Sequence, residues 1–168
     1  KKTFVNYWLH NAFVTMADEK MAKSAGNGYR LADLAERGID ALDYRYWMLQ
    51  SHYRTQSNLS FAALEAAKQA RHRLARFVYH DLKEVKAGEP SPAHEKALVE
   101  ALHDDLNSPK ALTVLWFVVK DERLSPESKL ATLKLADSLL SLGLSLTPED
   151  GAASLGEVSE SALPTEIQ

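Results

Sequence analysis

From residue 60 onward the apolar side chains recur at intervals of three and four, and this spacing constrains the fold more than any other feature of the sequence. Phe61, Leu64, Ala67, Leu74, Phe77, Val78, Leu82 and Val85 fall on one stripe when the backbone turns about every 3.6 residues, which predicts a long amphipathic helix. Ser60 is placed to cap its amino end. The run Gly88-Glu89-Pro90-Ser91-Pro92 breaks it. A further segment carries Ala97, Leu98, Ala101 and Leu102 on one face. Asn107-Ser108-Pro109 and Ser125-Pro126-Glu127 each set a capping hydroxyl before a proline at the first helical position. The helix bodies that follow carry Leu112, Leu115, Trp116 and Val119, then Leu130, Leu133, Ala136, Leu139 and Leu140 before Gly143. These starts and stripes predict a mainly α chain ending in an antiparallel helical bundle.

The first sixty residues have a different texture. Phe4 to Phe13 is aromatic and apolar, and Ala17 to Asn27 is small and charged, so a strand or short helix entering a mobile loop is expected. Asp33 to Arg37 has helical composition, with Gly38 where a left-handed cap residue belongs. Asp40 is placed to cap a second helix running through Leu42, Tyr46, Trp47 and Leu49 toward Ser51. His52 to Leu59 reads as a polar connector. Beyond Pro148 the chain is rich in Ser, Ala, Gly and Glu without a sustained period, which reads as a linker or an incomplete element.

Composition narrows the possible chemistry. Lys and Arg number 20 against 23 Asp and Glu, a formal net charge of -3, so attraction of nucleic acid by overall positive charge is excluded and any RNA contact must be local. There is no cysteine, hence no disulfide and no thiolate metal site. Six histidines remain, none in a His-x3-His spacing, and no metal site is expected within this chain. A length of 168 residues with 45% hydrophobic content can bury one ordinary core. Without an apolar run of about 18 residues or a hydrophobic signal core, a cytoplasmic protein with no membrane contact is expected. Lys1 in place of methionine suggests a piece of something longer.

The run Glu19-Lys20-Met21-Ala22-Lys23-Ser24-Ala25-Gly26-Asn27 carries the most specific chemistry. Lys20 and Lys23, three residues apart among small residues, can bring two ammonium groups to one polyphosphate. A lysine so placed stabilises the charge that builds on departing pyrophosphate more than it stabilises bound ATP. An exposed loop of no function would carry residues of the same kinds.

The run resembles the Lys-Met-Ser-Lys-Ser motif of class I aminoacyl-tRNA synthetases. Three more stretches resemble the cysteinyl branch in the same order: Asn6-Tyr7-Trp8-Leu9-His10-Asn11-Ala12, Ser51-His52-Tyr53-Arg54-Thr55-Gln56, and Asp104-Asp105-Leu106-Asn107-Ser108-Pro109. Together they cover most of Lys1 to Leu146. Ala22 stands where the motif has serine and Ala12 where the family commonly has glycine, so loop closure and close backbone approach to nucleotide are the points put in doubt.

The resemblance implies a division into residues 1–30, the end of an α/β catalytic domain with the lysine loop; 31–59, a stem-contact region; 60–146, a helical bundle of the class I anticodon-binding type; and 147–168, a linker and the start of a further module. It implies catalytic roles for Lys20 and Lys23, with Lys23 on the leaving pyrophosphate. ATP contacts would come from Lys20, Met21, Lys23, Ser24, Gly26, His10 and Asn11, with Met21 anchoring the loop by packing and Gly26 letting it bend. His10, beside Trp8 and Phe13, also fits a packed polar residue. The implied partners are ATP with Mg2+, cysteine and tRNA(Cys), and the implied enzyme is a monomer. Its zinc ligands and ATP-binding histidine motif would lie outside this chain, so the chain alone is not expected to activate cysteine.

For RNA, Arg71, Arg73 and Arg76, with His72 and Lys68, lie within about two turns of one helix and could track phosphates. An ordinary solvated face would look the same. His52 and Arg54 suit either a bond from connector to bundle or contact with the tRNA acceptor arm. Asp104 and Asp105 read as preceding and capping a helix. Two other readings remain: a ligase joining cysteine to an amino sugar in mycothiol synthesis, which shares the catalytic design without tRNA, and a non-catalytic helical module binding RNA or protein.

Overall fold

Most of the helices described in the computed structural model begin where a short polar side chain accepts an amide hydrogen that the first turn leaves unbonded. The structure describes residues 4–16, 19–20 and 28–144, and they are mainly helical. A short helix α1 (Leu31–Ala35) closes at Gly38, whose φ of 75° is the left-handed value that the residue after a helix needs. Helix α2 (Ala41–Leu49) opens with a reciprocal cap: Asp43 N–H donates to Asp40 Oδ1 at 2.8 Å, and Asp40 N–H donates to Asp43 Oδ2 at 3.2 Å. Ser60 caps α3 (Phe61–Arg76) by accepting from Ala63 N, and Ser125 caps α6 (Pro126–Leu140) by accepting from Ser128 N. Between them lie α4 (Pro92–His103) and α5 (Ser108–Lys120).

Two local expectations shift. Asn107, not Ser108, caps α5, its Oδ1 accepting from Lys110 N at 3.2 Å. Ser108 is already the first helical residue, and its hydroxyl donates instead to Ser51 O at 3.4 Å. The long stripe does not continue as one regular helix to Val85 either. Regular turns stop at Arg76, a π-helical turn covers Phe77–Asp81, and Leu82 leaves helical geometry at φ -117°. A wider turn moves each later side chain around the axis, and Val78 and Leu82 remain buried while Val85 is half-buried.

Among the described residues, three short strands lie before α3. Central β1 (Val14–Met16) pairs antiparallel with β2 (Glu19–Lys20) and parallel with β3 (Ser57–Leu59). The stretch read as a polar connector therefore carries a strand, which is too short for its alternation to stand out. The pairing sets Thr15 against Asn58 and Met16 against Leu59, tying the start of the chain to the start of α3.

The core is built from Leu64, Ala67 and Leu74 of α3, Leu98 and Ala101 of α4, Leu115 and Val118 of α5, and Leu133, Ala136 and Leu140 of α6, with Leu142 beyond it. Leu139 is 46% exposed and does not belong to the buried face, which Leu140 takes instead. Trp116 is half-buried and donates its indole N–H to the Tyr46 hydroxyl at 3.0 Å, so its polar atom is satisfied at the contact of α2 with α5. Gly88 passes so close to α6 that a Cβ there would come within 3.1 Å of Glu127 Cβ. Truncating the fully buried Leu64 to alanine is expected to destabilise the fold by about 2–5 kcal/mol, read as a lowered urea midpoint at unchanged slope.

Candidate functional site

The pairing of β1 with β2 places the first lysine of the motif. Lys20 is the last residue of β2 and lies opposite Thr15 in the register. Met21, Lys23, Ser24 and Gly26 fall outside the described residues. On the other side of β1, His10 and Asn11 are exposed. The Trp8 and His10 rings are parallel with centroids 6.0 Å apart, and Asn11 donates its side-chain amide to Ala12 O at 2.9 Å. Burial does not hold His10 in place. Ala12 N–H donates to Tyr53 O at 2.8 Å, and a cleft of about 210 Å³ opens between Asn11, Phe13, Met48, Tyr53 and Ser57. Earlier in the chain Phe4, Tyr7 and Trp8 are each exposed, Tyr7 at 93%.

Below the cleft the His52-Tyr53-Arg54 segment converges on Asp105. His52 Nε2–H donates to Asp105 O at 2.9 Å, the Tyr53 hydroxyl donates to Asp105 Oδ1 at 2.6 Å, and Arg54 Nε donates to Asp105 Oδ2 at 2.7 Å. Both Asp105 (φ 51°) and Leu106 (φ 54°) take left-handed backbone in the turn between α4 and α5, a conformation that costs a non-glycine residue free energy. Asp105 therefore does not cap α5, contrary to the reading of the Asp pair. Its carboxylate receives the connector, and the Arg54 guanidinium and the Tyr53 hydroxyl hold its pKa down at about 2. Arg54 is exposed yet engaged in this ion pair, which is the first of the two roles its sequence context left open.

The three arginines of α3 do not share one face. Arg73 and Arg76 are exposed, whereas Arg71 is fully buried. Its guanidinium donates Nε–H to Asp43 Oδ1 at 2.7 Å, Nη2–H to Asp40 Oδ2 at 2.9 Å and Nη1–H to Leu142 O at 3.4 Å. A phosphate-tracking role for Arg71 is thereby corrected to a structural one, because no solvent-facing edge of the guanidinium remains. The sequence held a signal for this: Arg71 occupies the place in the apolar stripe between Ala67 and Leu74. Its partners Asp40 and Asp43, read only as cap and helix residue, could not be assigned to it without the packing of α2 on α3.

Asp40, Asp43 and His72 offer ligand atoms within 4.8 Å of one another, a grouping that could in principle take a metal ion. Each of the four carboxylate oxygens already accepts a hydrogen bond, two from Arg71 and two from backbone N–H groups within the cap. The guanidinium supplies the positive charge a cation would bring, so the grouping does not read as a metal centre. His72 Nε2 lies buried 3.3 Å from Asp43 Oδ1 without hydrogen-bond geometry. Burial pushes the pKa of this imidazole below its ordinary value, against the upward pull of Asp43.

The catalytic-domain family described as tRNA synthetases class I (C) matches residues 1–69, from the aromatic segment through the hairpin and into α3. The matched stretch, part of a class I tRNA synthetase catalytic domain by its description, includes Lys20 and Lys23. The cysteine–tRNA ligase of Treponema denticola is 36% identical over 166 residues, covering 85% of this chain and 34% of that protein. The enzyme of the same name from Thioalkalivibrio sulfidiphilus is 36% identical over 171 residues, covering 95% and 36%, and that from Ralstonia pickettii is 41% identical over 146 residues, covering 84% and 29%. The chain belongs to the cysteine–tRNA ligase family, and it spans about a third of the length of these curated relatives. No helix among the described residues is long and apolar enough to cross a membrane.

Replacing Asp43 by asparagine removes one of the two carboxylates that pair with the buried Arg71 charge and is expected to cost about 3–5 kcal/mol in chemical denaturation. The Asp105 pair acts over a pH range. A carboxyl lowered from 3.8 to about 2 on folding contributes its stabilisation fully above 3.8 and loses it as pH falls toward 2. The thermal midpoint of Asp105→Asn is therefore expected to lie below that of the parent at neutral pH, with the gap closing between those two values. A gap constant across that range would mean that the ion pair does not contribute.

Proposed function

We propose that this chain forms the lysine-loop and tRNA-holding part of a cysteine–tRNA ligase, the enzyme that condenses cysteine with ATP to cysteinyl adenylate and pyrophosphate and then transfers cysteine to tRNA(Cys). The observation that carries the reading is the hairpin: β1 and β2 put Lys20 at the edge of a small sheet as the chain enters the segment bearing Lys23, inside the part that matches the catalytic-domain family. Lys23 stabilises the negative charge that grows on the β- and γ-phosphates as the bond to the α-phosphate breaks, and Lys20 binds the same polyphosphate. Ser24 donates a hydrogen bond to phosphate, Met21 packs the loop and Gly26 lets it bend. His10 and Asn11, both exposed beside β1, face the nucleotide. Magnesium accompanies ATP as its counter-ion. The zinc that selects cysteine in the family finds no thiolate ligand here, because the chain has no cysteine.

In this reading residues 1–30 close the catalytic domain and 31–59 form the stem-contact region. Residues 60–146 form an antiparallel bundle of the anticodon-binding type, which holds tRNA(Cys), and 147–168 lead into a further module. The Asp105 junction supports such a coupling, since it joins the connector beside the sheet to the α4–α5 turn. The enzyme works as a cytoplasmic monomer.

Lys23→Ala, introduced into a complete cysteine–tRNA ligase carrying this segment, is expected to lower cysteine-dependent ATP–pyrophosphate exchange by about 10²–10³-fold while leaving cysteine binding unchanged. Exchange within about twofold of the parent would remove Lys23 from the chemistry.

A further inference from the structure

One groove on α3 remains without a role. Lys68, Gln69, His72, Arg73 and Arg76 line an open pocket of about 280 Å³ that has no carboxylate in its wall. In a chain of net charge -3 such a concentration of positive groups is local, as RNA contact by this chain would require. Lys68 lies 3.9 Å from Glu65, one turn away, while Arg73 and Arg76 have no ion-pair partner among the described residues. The neutralising carboxylates lie behind the helix, where Asp40 and Asp43 of α2 hold Arg71. His72 stands between the two layers. Its Nε2 is buried 3.3 Å from Asp43 Oδ1 and lacks a hydrogen-bond partner, and the same side chain lines the groove.

We propose that this groove seats a backbone phosphate of bound RNA, and that seating it draws a proton onto His72. The inference rests on the tRNA reading above and assigns that partner a contact. Three cationic side chains and the Gln69 amide surround the space with donors suited to phosphate oxygens. His72 is faced by Asp43 and Asp40 from α2 and by Arg71 and Lys68 from its own helix. In the free protein, protonation would add a fourth positive charge to the groove in a desolvated position. A phosphate cancels part of that charge from outside, while the Asp43 carboxylate, 3.3 Å away on the inside, attracts the charge that the proton brings. Phosphate and proton therefore bind cooperatively, each favouring the other by the same factor.

The test uses the full 168-residue chain and a tRNA(Cys) transcript, with binding followed by fluorescence anisotropy across a salt series. The exposed double variant Arg73→Gln/Arg76→Gln is expected to bind about five- to tenfold more weakly at low salt and to reduce the slope of log K against log salt by about one. Parent binding is expected to be tighter at about pH 6 than at about pH 8, and His72→Gln to flatten that difference. Because His72 is largely buried, its ring proton resonance is titrated in the parent as well, where its apparent pKa must rise when the transcript is added. If the double variant keeps the parent affinity and slope while the transcript still binds, the groove is not the phosphate site and the tRNA reading stands. A parent chain that does not bind the transcript overturns both. A reduced slope with an unmoved His72 resonance overturns the proton linkage.

Discussion

The guanidinium of Arg71 is the point on which the helical architecture turns. It reaches from the middle of α3 to the capping carboxylates of α2 and to the Leu142 carbonyl beyond the end of α6, joining segments up to 71 residues apart. A buried charge is costly unless it is paired and hydrogen-bonded, and here the same two carboxylates that pair with it also close the first turn of α2. Helix start and helix packing thus depend on one set of atoms. The end of α6 is drawn in further by Arg45, which donates to the Leu140 carbonyl at 2.6 Å, and by Asp137, whose carboxylate accepts from Leu142 N at 2.8 Å.

A second polar junction connects this helical body to the sheet. Asp105 gathers His52, Tyr53 and Arg54, while the backbone of Tyr53 accepts from Ala12 beside β1. Strand β3 follows directly and pairs parallel with β1, the strand whose other edge carries Lys20. Hydrogen bonds thus link the α4–α5 turn to the connector and the connector to β1, the strand paired with the one that ends at Lys20.

The elements that could be read in the sequence are those encoded by neighbours along the chain. Ser60, Ser125 and Asp40 cap the helices they precede, Gly38 takes its left-handed turn, and the separate stripes that carry Leu64, Leu98, Leu115 and Leu133 meet in the core. Where prediction slipped, the controlling contact was distant or the element was short. Strand β3 has three residues and owes its form to β1. Arg71 shows the same dependence: its place in the apolar stripe signals burial, but only the packing of α2 supplies the carboxylates that pair with it.

By itself the sequence determined the helix starts, the mainly helical class, the lysine motif and the family, because each rests on residue types at short spacing. The tertiary structure alone decided which charges are buried and which are available. It divided Arg71 from Arg73 and Arg76, turned Asp105 from a presumed cap into a junction, and set His72 between a carboxylate and an open cationic groove. The physical reason is that the state of a charged side chain follows from what packs against it, and for these residues the nearest opposite charge comes from another helix or from a connector about 50 residues away.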